Sequence, residues 1–167
     1  MWDLRIDGTK QMMRNLQRID NEVKRGEIMN KMINGALPIY KEEVEKNLKF
    51  NLQQTKAKSE NDPNAWYEKR TGKLLESVTV KESENYQTGA AGRTGDSAIG
   101  YVTFTGHQDD GERNAAVAAY MEYGYDDRIT GTHVKARPFL GKAARDVAPK
   151  CRDKMNEIFA EEIKKKW

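Results

Sequence analysis

Apolar residues recur along the first third of the chain at the spacing of a helix face. Met12, Leu16, Ile19 and Val23 follow one another at steps of four and three, which predicts an amphipathic helix of about three to four turns. Asp7-Gly8-Thr9 ahead of it supplies a turn and a candidate N-cap, and Gly26 a break after it. A second stripe, Met29, Ile33, Leu37, Tyr40, Val44, Leu48 and Leu52, carries the pattern on to residue 52. Pro38 falls inside this stripe. An interior proline removes one backbone bond, so two helical segments joined by a bend are expected.

The pattern then changes. QQTKAKSENDPN, from Gln53 to Asn64, is almost wholly polar and predicts a loop. Thr71-Gly72 marks a turn, and the β-branched run Ser77 to Lys81 predicts a strand. Tyr86 to Ser97 carries three glycines and is expected to be a hairpin loop. In Ala98 to Gly106, Ile99, Tyr101 and Thr103 alternate with Val102 and Phe104, which predicts a second strand antiparallel to the first. Asn114 can cap the alanine-rich AAVAAYMEY, and Gly124 ends that short helix. A loop runs through Gly131. His133 to Arg137 is expected to be extended, because Pro138 biases its predecessor away from helix.

Pro138 suits the first turn of a last helix. The stripe of that helix is Leu140, Ala144, Val147, Cys151, Met155, Ile158 or Phe159, and Ile163, with Pro149 kinking or splitting it. The order of elements predicts one α+β domain over residues 1–167. Its parts are a helical 8–52, a polar loop 53–65, a β-rich 75–106, a short helix 114–123 and a C-terminal helix 138–166. It combines N-terminal amphipathic helices, a small antiparallel sheet, a short helix and a long final helix.

Composition narrows the function classes. Of 167 residues, 37% are hydrophobic and 33% charged, with mean hydropathy −0.91, so the core is lean or completed by partners. Lys plus Arg number 29 against 26 Asp plus Glu, a net +3, and the charges are mixed along the chain. That is a solvated surface and not the basic face of a dedicated nucleic-acid binder. Cys151 is the single cysteine and cannot make an internal disulfide, so a reducing compartment is expected. No run approaches the ~18 apolar residues of a membrane span, and MWDLRIDG has no apolar leader core. A cytoplasm is therefore the expected place of synthesis and assembly.

Candidate chemistry is thin. TGAAGRTGDS, Thr88 to Ser97, is glycine-rich but lacks the lysine and following helix that a phosphate-cradling loop needs, so a hairpin tip is the better reading. His107 to Glu112, HQDDGE, lacks the alternating oxygen register of a calcium loop and is too short for one, so it predicts a solvated acidic loop. With two histidines and one cysteine, His133 is read as exposed or hydrogen-bonded and Cys151 as a small hydrophobe on its stripe. The basic end at Lys164, Lys165 and Lys166 suits a helix C-terminus, with nucleic-acid contact as the alternative. No catalytic residue, metal ligand or cofactor is predicted, and no enzyme.

Three motifs then line up. They are Thr71-Gly72-Lys73-Leu74-Leu75-Glu76-Ser77, Tyr120-Met121-Glu122-Tyr123-Gly124, and His133-Val134-Lys135-Ala136-Arg137-Pro138-Phe139-Leu140 followed by Ala143-Ala144. In this order and approximate spacing they resemble a family of long-tailed bacteriophage and prophage proteins of the head–tail junction, described as neck, tail-completion or head–tail joining proteins. Ile6-Asp7-Gly8 before an amphipathic helix is similar to that family's N-terminus. Tyr125 departs from the family's usual threonine, and Gly141-Lys142 from its frequent Arg-Pro.

The resemblance implies a non-enzymatic virion protein of the tail or neck, assembled in the bacterial cytoplasm as a homo-oligomeric ring. It implies tail-tube or head-closure proteins as partners, weak non-specific DNA contact at most, and no membrane. Thr71, Gly72, Leu74, Tyr120, Glu122, Tyr123, Gly124, Arg137, Pro138, Phe139 and Leu140 are the assembly candidates. Loops 53–64, 86–97 and 125–132 would be interaction surfaces. An ion pair between Glu122 and Arg137 is expected to close the loop between them. The alternative is a nucleic-acid-binding accessory module using Arg93, Arg113 and Lys164 to Lys166.

Overall fold

A computed structural model describes residues 2–3, 22–54, 59, 65–83, 87–88, 96–126, 131 and 133–165. In chain order the elements are β1 (Trp2–Asp3), α1 (Glu22–Gln54), α2 (Ala65–Ser77), β2 (Val78–Lys81), β3 (Gln87–Thr88), β4 (Asp96–Ser97), β5 (Tyr101–Phe104), α3 (Asn114–Tyr123), β6 (Tyr125–Asp126), β7 (His133–Val134) and α4 (Leu140–Lys164). This is an α+β fold. The expected helix over Met12 to Val23 lies, up to residue 21, outside the described residues.

Both long helices run through their prolines. α1 is continuous past Gly26 and Pro38, and α4 past Pro149, so the expected break at Gly26, the division of the stripe into two segments at Pro38 and the split at Pro149 do not occur. Pro38 and Pro149 are exposed, as is Arg145 one turn before the latter. The carbonyl of Arg145, which Pro149 leaves without its usual donor, therefore lies on the side toward water. The polar stretch after Leu52 is also helical for two more residues, to Gln54.

α2 overrides a predicted turn. Thr71 and Gly72 sit inside it, and the strand starts at Val78 instead of Ser77. A mid-helix glycine costs about 1 kcal/mol relative to alanine, less than burying Leu74 contributes. Ser77 Oγ donates to Leu74 O at 2.9 Å and closes the last turn.

The larger sheet has the order β1-β5-β2, with Trp2 opposite Val102 and Asp3 opposite Tyr101. Thr105 N–H donates to Ser77 O and Thr79 Oγ1 to Thr103 O, so β2 and β5 run in opposite directions as expected. Val102 and Phe104 form the buried face of β5. Inside the segment expected to be the hairpin loop, β3 pairs with β4, Gln87 opposite Ser97 and Thr88 opposite Asp96, a pairing that was not predicted. β6 was not predicted. It pairs with β7, Tyr125 opposite Val134, and forms a second small hairpin.

The chain divides into two compact units, residues 1–40, 80–102 and 147–167, and residues 41–79 and 103–146. In the first, Ile28, Met32, Ala36, Leu37 and Tyr40 of α1 are buried, as are Val147, Cys151 and Met155 of α4. A Cβ on Gly35 would stand 2.2 Å from Ile158 Cδ1, so glycine lets these helices approach closely. Lys31 Nζ pairs with Glu162 at 2.8 Å, and Cys151 Sγ lies 3.7 Å from Ala36 O. Asn30 and Asn34 hold Ser83: Ser83 Oγ donates to Asn30 Oδ1, Ser83 N–H to Asn34 Oδ1, and Ile99 N–H donates to Ser83 Oγ. In the second unit the buried apolar residues are Val44, Leu48, Leu74, Val78, Phe104, Val117, Ala118, Met121, Phe139, Leu140 and Ala143.

Candidate functional site: a clasp around Glu122

Two of the three motifs meet at one carboxylate, and the third lies on the neighbouring helix. Glu122 is on α3, which is otherwise free of charge, and its side chain is buried. Oε2 accepts the backbone N–H groups of Phe139 and Leu140, and Oε1 accepts that of Gly141, each at 2.8 Å. These are donors that the start of α4 leaves without partners inside the helix, and a negative charge there faces the positive end of the helix dipole. A distant glutamate thus caps the helix from a neighbouring element. Gly141 contributes by lacking a side chain, since a Cβ there would stand 3.0 Å from Glu122 Oε1.

The end of the strap that enters α4 is held by hydrogen bonds from α3 and α1. Arg137 donates its N–H to Met121 O at 2.7 Å. From α1, Asn51 Nδ2 donates to Arg137 O at 3.4 Å and Asn47 Nδ2 to Phe139 O at 3.2 Å. Asn47 Oδ1 in turn accepts from Lys142 Nζ at 3.2 Å. Phe139 is fully buried and meets Phe104 edge to face, ring centroids 5.8 Å apart. Pro138 is exposed and stands two residues before α4, which begins at Leu140 and not at the proline.

The expected closure by Glu122 is therefore present, but its partners are three backbone N–H groups where the Arg137 guanidinium was expected. Arg137 holds the strap through its own backbone.

Gly124 makes the sharp exit from α3. Its φ of 75° and ψ of 174° lie where only glycine sits without strain, and a Cβ would come within 2.6 Å of Val134 O and 2.8 Å of Ala136 N. Its N–H donates to Tyr120 O at 2.8 Å. Across this turn the Tyr125 ring lies against Tyr120, centroids 5.3 Å apart. Tyr120 is 42% exposed and Tyr123 66%. At the tip, His133 Nδ1 lies 2.7 Å from Asp126 Oδ1.

α2, with the first motif, packs on α3. Thr71 and Leu74 are fully buried, while a Cβ on Gly72 would meet nothing within 4 Å. The acidic loop 107–112 is not merely solvated, as the sequence suggested. Arg70 pairs with Asp110 and Glu112, and Asp109 bridges Lys69 and Lys73. Hydrogen bonds from Lys69 and Lys73 hold the Asp109 carboxyl down at about 2, and Asp109 raises the Lys69 ammonium in return.

The base of the loop is tied by Asn114. Its Nδ2 donates to Thr105 O at 2.6 Å, and its Oδ1 accepts from Gln108 Nε2 at 2.7 Å. Asn114 is thus the first helical residue and a loop anchor. Arg113, in extended conformation, takes the cap position that was expected for Asn114.

The predicted nucleic-acid contacts are not gathered in one unit. Arg113 is exposed in the second unit; Lys164 and Lys165 are exposed in the first, where Lys165 Nζ pairs with Glu162 at 3.0 Å. Arg93 and Lys166 lie outside the described residues, as do most of the loops 53–64, 86–97 and 125–132. Among the described residues no three of His, Cys, Asp and Glu gather as a metal site, and no helix is long and apolar enough to cross a membrane. Burial pushes the Cys151 thiol up, away from the thiolate a nucleophile needs.

Asn47, Asn51 and the Lys69–Arg70–Lys73 face were missed from sequence. Asn47 carried a signal, a polar residue beside Val44 and Leu48 on an apolar stripe. No family model, curated protein or solved structure matches this chain.

Proposed function

We propose that this chain is a non-enzymatic structural protein of a long-tailed phage or prophage that joins or completes the tail at the head–tail neck. It acts by assembling with copies of itself into a ring and binding tail-tube or head-closure proteins. The observation that supports this is the joining, within one compact unit, of three motifs scattered over some seventy residues. Glu122 of the second motif caps the helix opened by the third, and α2 of the first packs beside it. The chemistry of this cluster is that of a clasp, with the buried Glu122 carboxylate matched to three backbone N–H groups. Such a clasp fixes a strap and hairpin on a rigid base, as a surface that must meet neighbours in one geometry requires. A ring follows where each copy meets the next through two different patches and the rotation closes.

The test is electron microscopy of particles made with this gene disrupted, beside light scattering of the purified protein. Unjoined heads and tails, restored by the intact gene, are the expected result. Normal particles from the disrupted gene would overturn the reading. Weak DNA binding by the purified monomer, falling steeply with salt, would favour the accessory nucleic-acid module instead.

A further inference from the structure

The outward arc of α3 is unlike the rest of this highly charged surface. Ala115, Tyr120 and Tyr123 are exposed and Ala116 and Ala119 half-buried, whereas Asn114, Val117, Ala118, Met121 and Glu122 turn inward. At 100° per residue the outward five share one arc, and none of them is charged. Depletion of charge with exposed tyrosine is the composition of an interface centre. The arc is also graded. Its N-terminal half carries only alanines, its C-terminal half two tyrosines, and Tyr125 backs Tyr120. The flanks differ in sign, with exposed Arg113 before the helix and Asp126, its side chain 86% exposed, beyond it.

We propose that this face binds a second copy of the chain through the same face, α3 against α3 in antiparallel orientation about a twofold axis. Only that orientation seats the tyrosines of each copy over the alanines of the other. It also brings each Arg113 to the end that carries the other copy's Tyr123 and Asp126, where opposite charge and cation–π attraction both act. A parallel pairing sets tyrosine against tyrosine and like charge against like. A ten-residue helix is about 15 Å long, too short for the ~800 Å² per partner of a stable interface. The pair is therefore weak in isolation and gains strength where several copies are held together. A twofold contact closes on itself, so it is distinct from the heterologous contact of a ring and does not depend on the neck reading.

Sedimentation velocity over a dilution series of the full chain tests the pairing. A reversible dimer is expected, and Tyr123→Glu, at an exposed position, weakens it at least about tenfold with an unchanged circular dichroism spectrum. Mild oxidation of cysteine variants tests the orientation, since the native thiol is buried. Ala119→Cys, near the axis, cross-links to itself. Ala115→Cys and Tyr123→Cys cross-link to each other but not to themselves. A chain monomeric at every concentration, or a dimer indifferent to Tyr123→Glu, overturns the proposal. Self-cross-linking at both 115 and 123 places a parallel neighbour on this face and overturns it equally. Loss of the dimer would leave particle assembly intact if only this contact is wrong, whereas failure of the neck reading is seen in the particles.

Discussion

Replacing Glu122 by glutamine tests the clasp at its centre. The carboxylate accepts three backbone N–H groups at 2.8 Å from a buried position. A hydrogen bond to a charged group contributes about 1.5–3 kcal/mol, and a buried N–H left without an acceptor costs about 1–3 kcal/mol. The helix start adds up to about 2 kcal/mol for a partly buried negative charge. These figures do not add, because three donors share two oxygens and one geometry. Glutamine keeps the shape and one carbonyl oxygen, but it turns an NH2 donor toward at least one of the helix N–H groups and removes the charge. The expected loss is about 2–4 kcal/mol. At about 2–4 °C per kcal/mol for a chain of this size, Tm falls by about 4–16 °C.

Urea titration and calorimetry measure the loss. Hydrogen exchange locates it, since the amides of Phe139, Leu140 and Gly141 should lose protection first. Glu157→Gln is the control. Its carboxylate is exposed and pairs with Lys154, so the change stays within about 0.5 kcal/mol. A Glu122→Gln variant within about 1 kcal/mol of the parent, with those amides still protected, would refute the assigned role.

Two glycines should respond in opposite directions. Gly124→Ala meets backbone atoms and a Gly-only conformation, and is expected to cost at least about 1–3 kcal/mol. Gly72→Ala, in mid-helix with open space, is expected to stabilise by about 0.5–1 kcal/mol. Thermal melts of the two variants decide, and equal shifts would contradict both assignments. The Asp109 and Glu162 carboxyls are each held at about 2, by Lys69 and Lys73 and by Lys31 and Lys165 respectively. A folded pKa below the unfolded one gives stability present above about pH 4–5 and lost as pH falls toward about 2. Asp109→Asn and Glu162→Gln should flatten that acid limb, and carboxyl NMR titrations with midpoints near 4 would disprove the pairing. Buried Cys151 should react with a thiol reagent at least about a thousandfold more slowly in the native chain than in denaturant, and comparable rates would show the site to be open.

The two long helices were legible because four-residue spacing persists through many turns, as Tyr40, Val44 and Leu48 show. Where local rules failed, tertiary context had outvoted them. Pro38 read as a bend between two segments and Pro149 as a kink or split, but both helices continue through them, and a proline on the wet side of a helix frees a carbonyl that water can serve. Thr71-Gly72 read as a turn, and burial of Thr71 and Leu74 holds it in a helix. A closure by Glu122 was anticipated, but as an ion pair with Arg137 and not with the backbone N–H groups of Phe139, Leu140 and Gly141. A backbone N–H leaves no signature in composition, so a carboxylate that serves three of them looks like half of an ion pair. The partners of Asn47 and Asn51 were invisible for the same reason, since they are backbone carbonyls 92 and 86 residues away. The acidic loop and its three cations lie on segments about forty residues apart, and no spacing rule connects them.

The clasp also sets an order of events during synthesis. Glu122 leaves the ribosome before the amides it serves, which follow within 17–19 residues. Closing so short a segment takes well under about a microsecond, against the ~0.05–0.2 s needed to add one residue. α3 can therefore receive the first turn of α4 as soon as that turn emerges, before most of the helix exists. The direction of growth of α4 is then fixed from its first turn. Errors in the clasp would accordingly show as slower folding as well as lower stability, and the yield of nascent chains would record them before any assembled particle could.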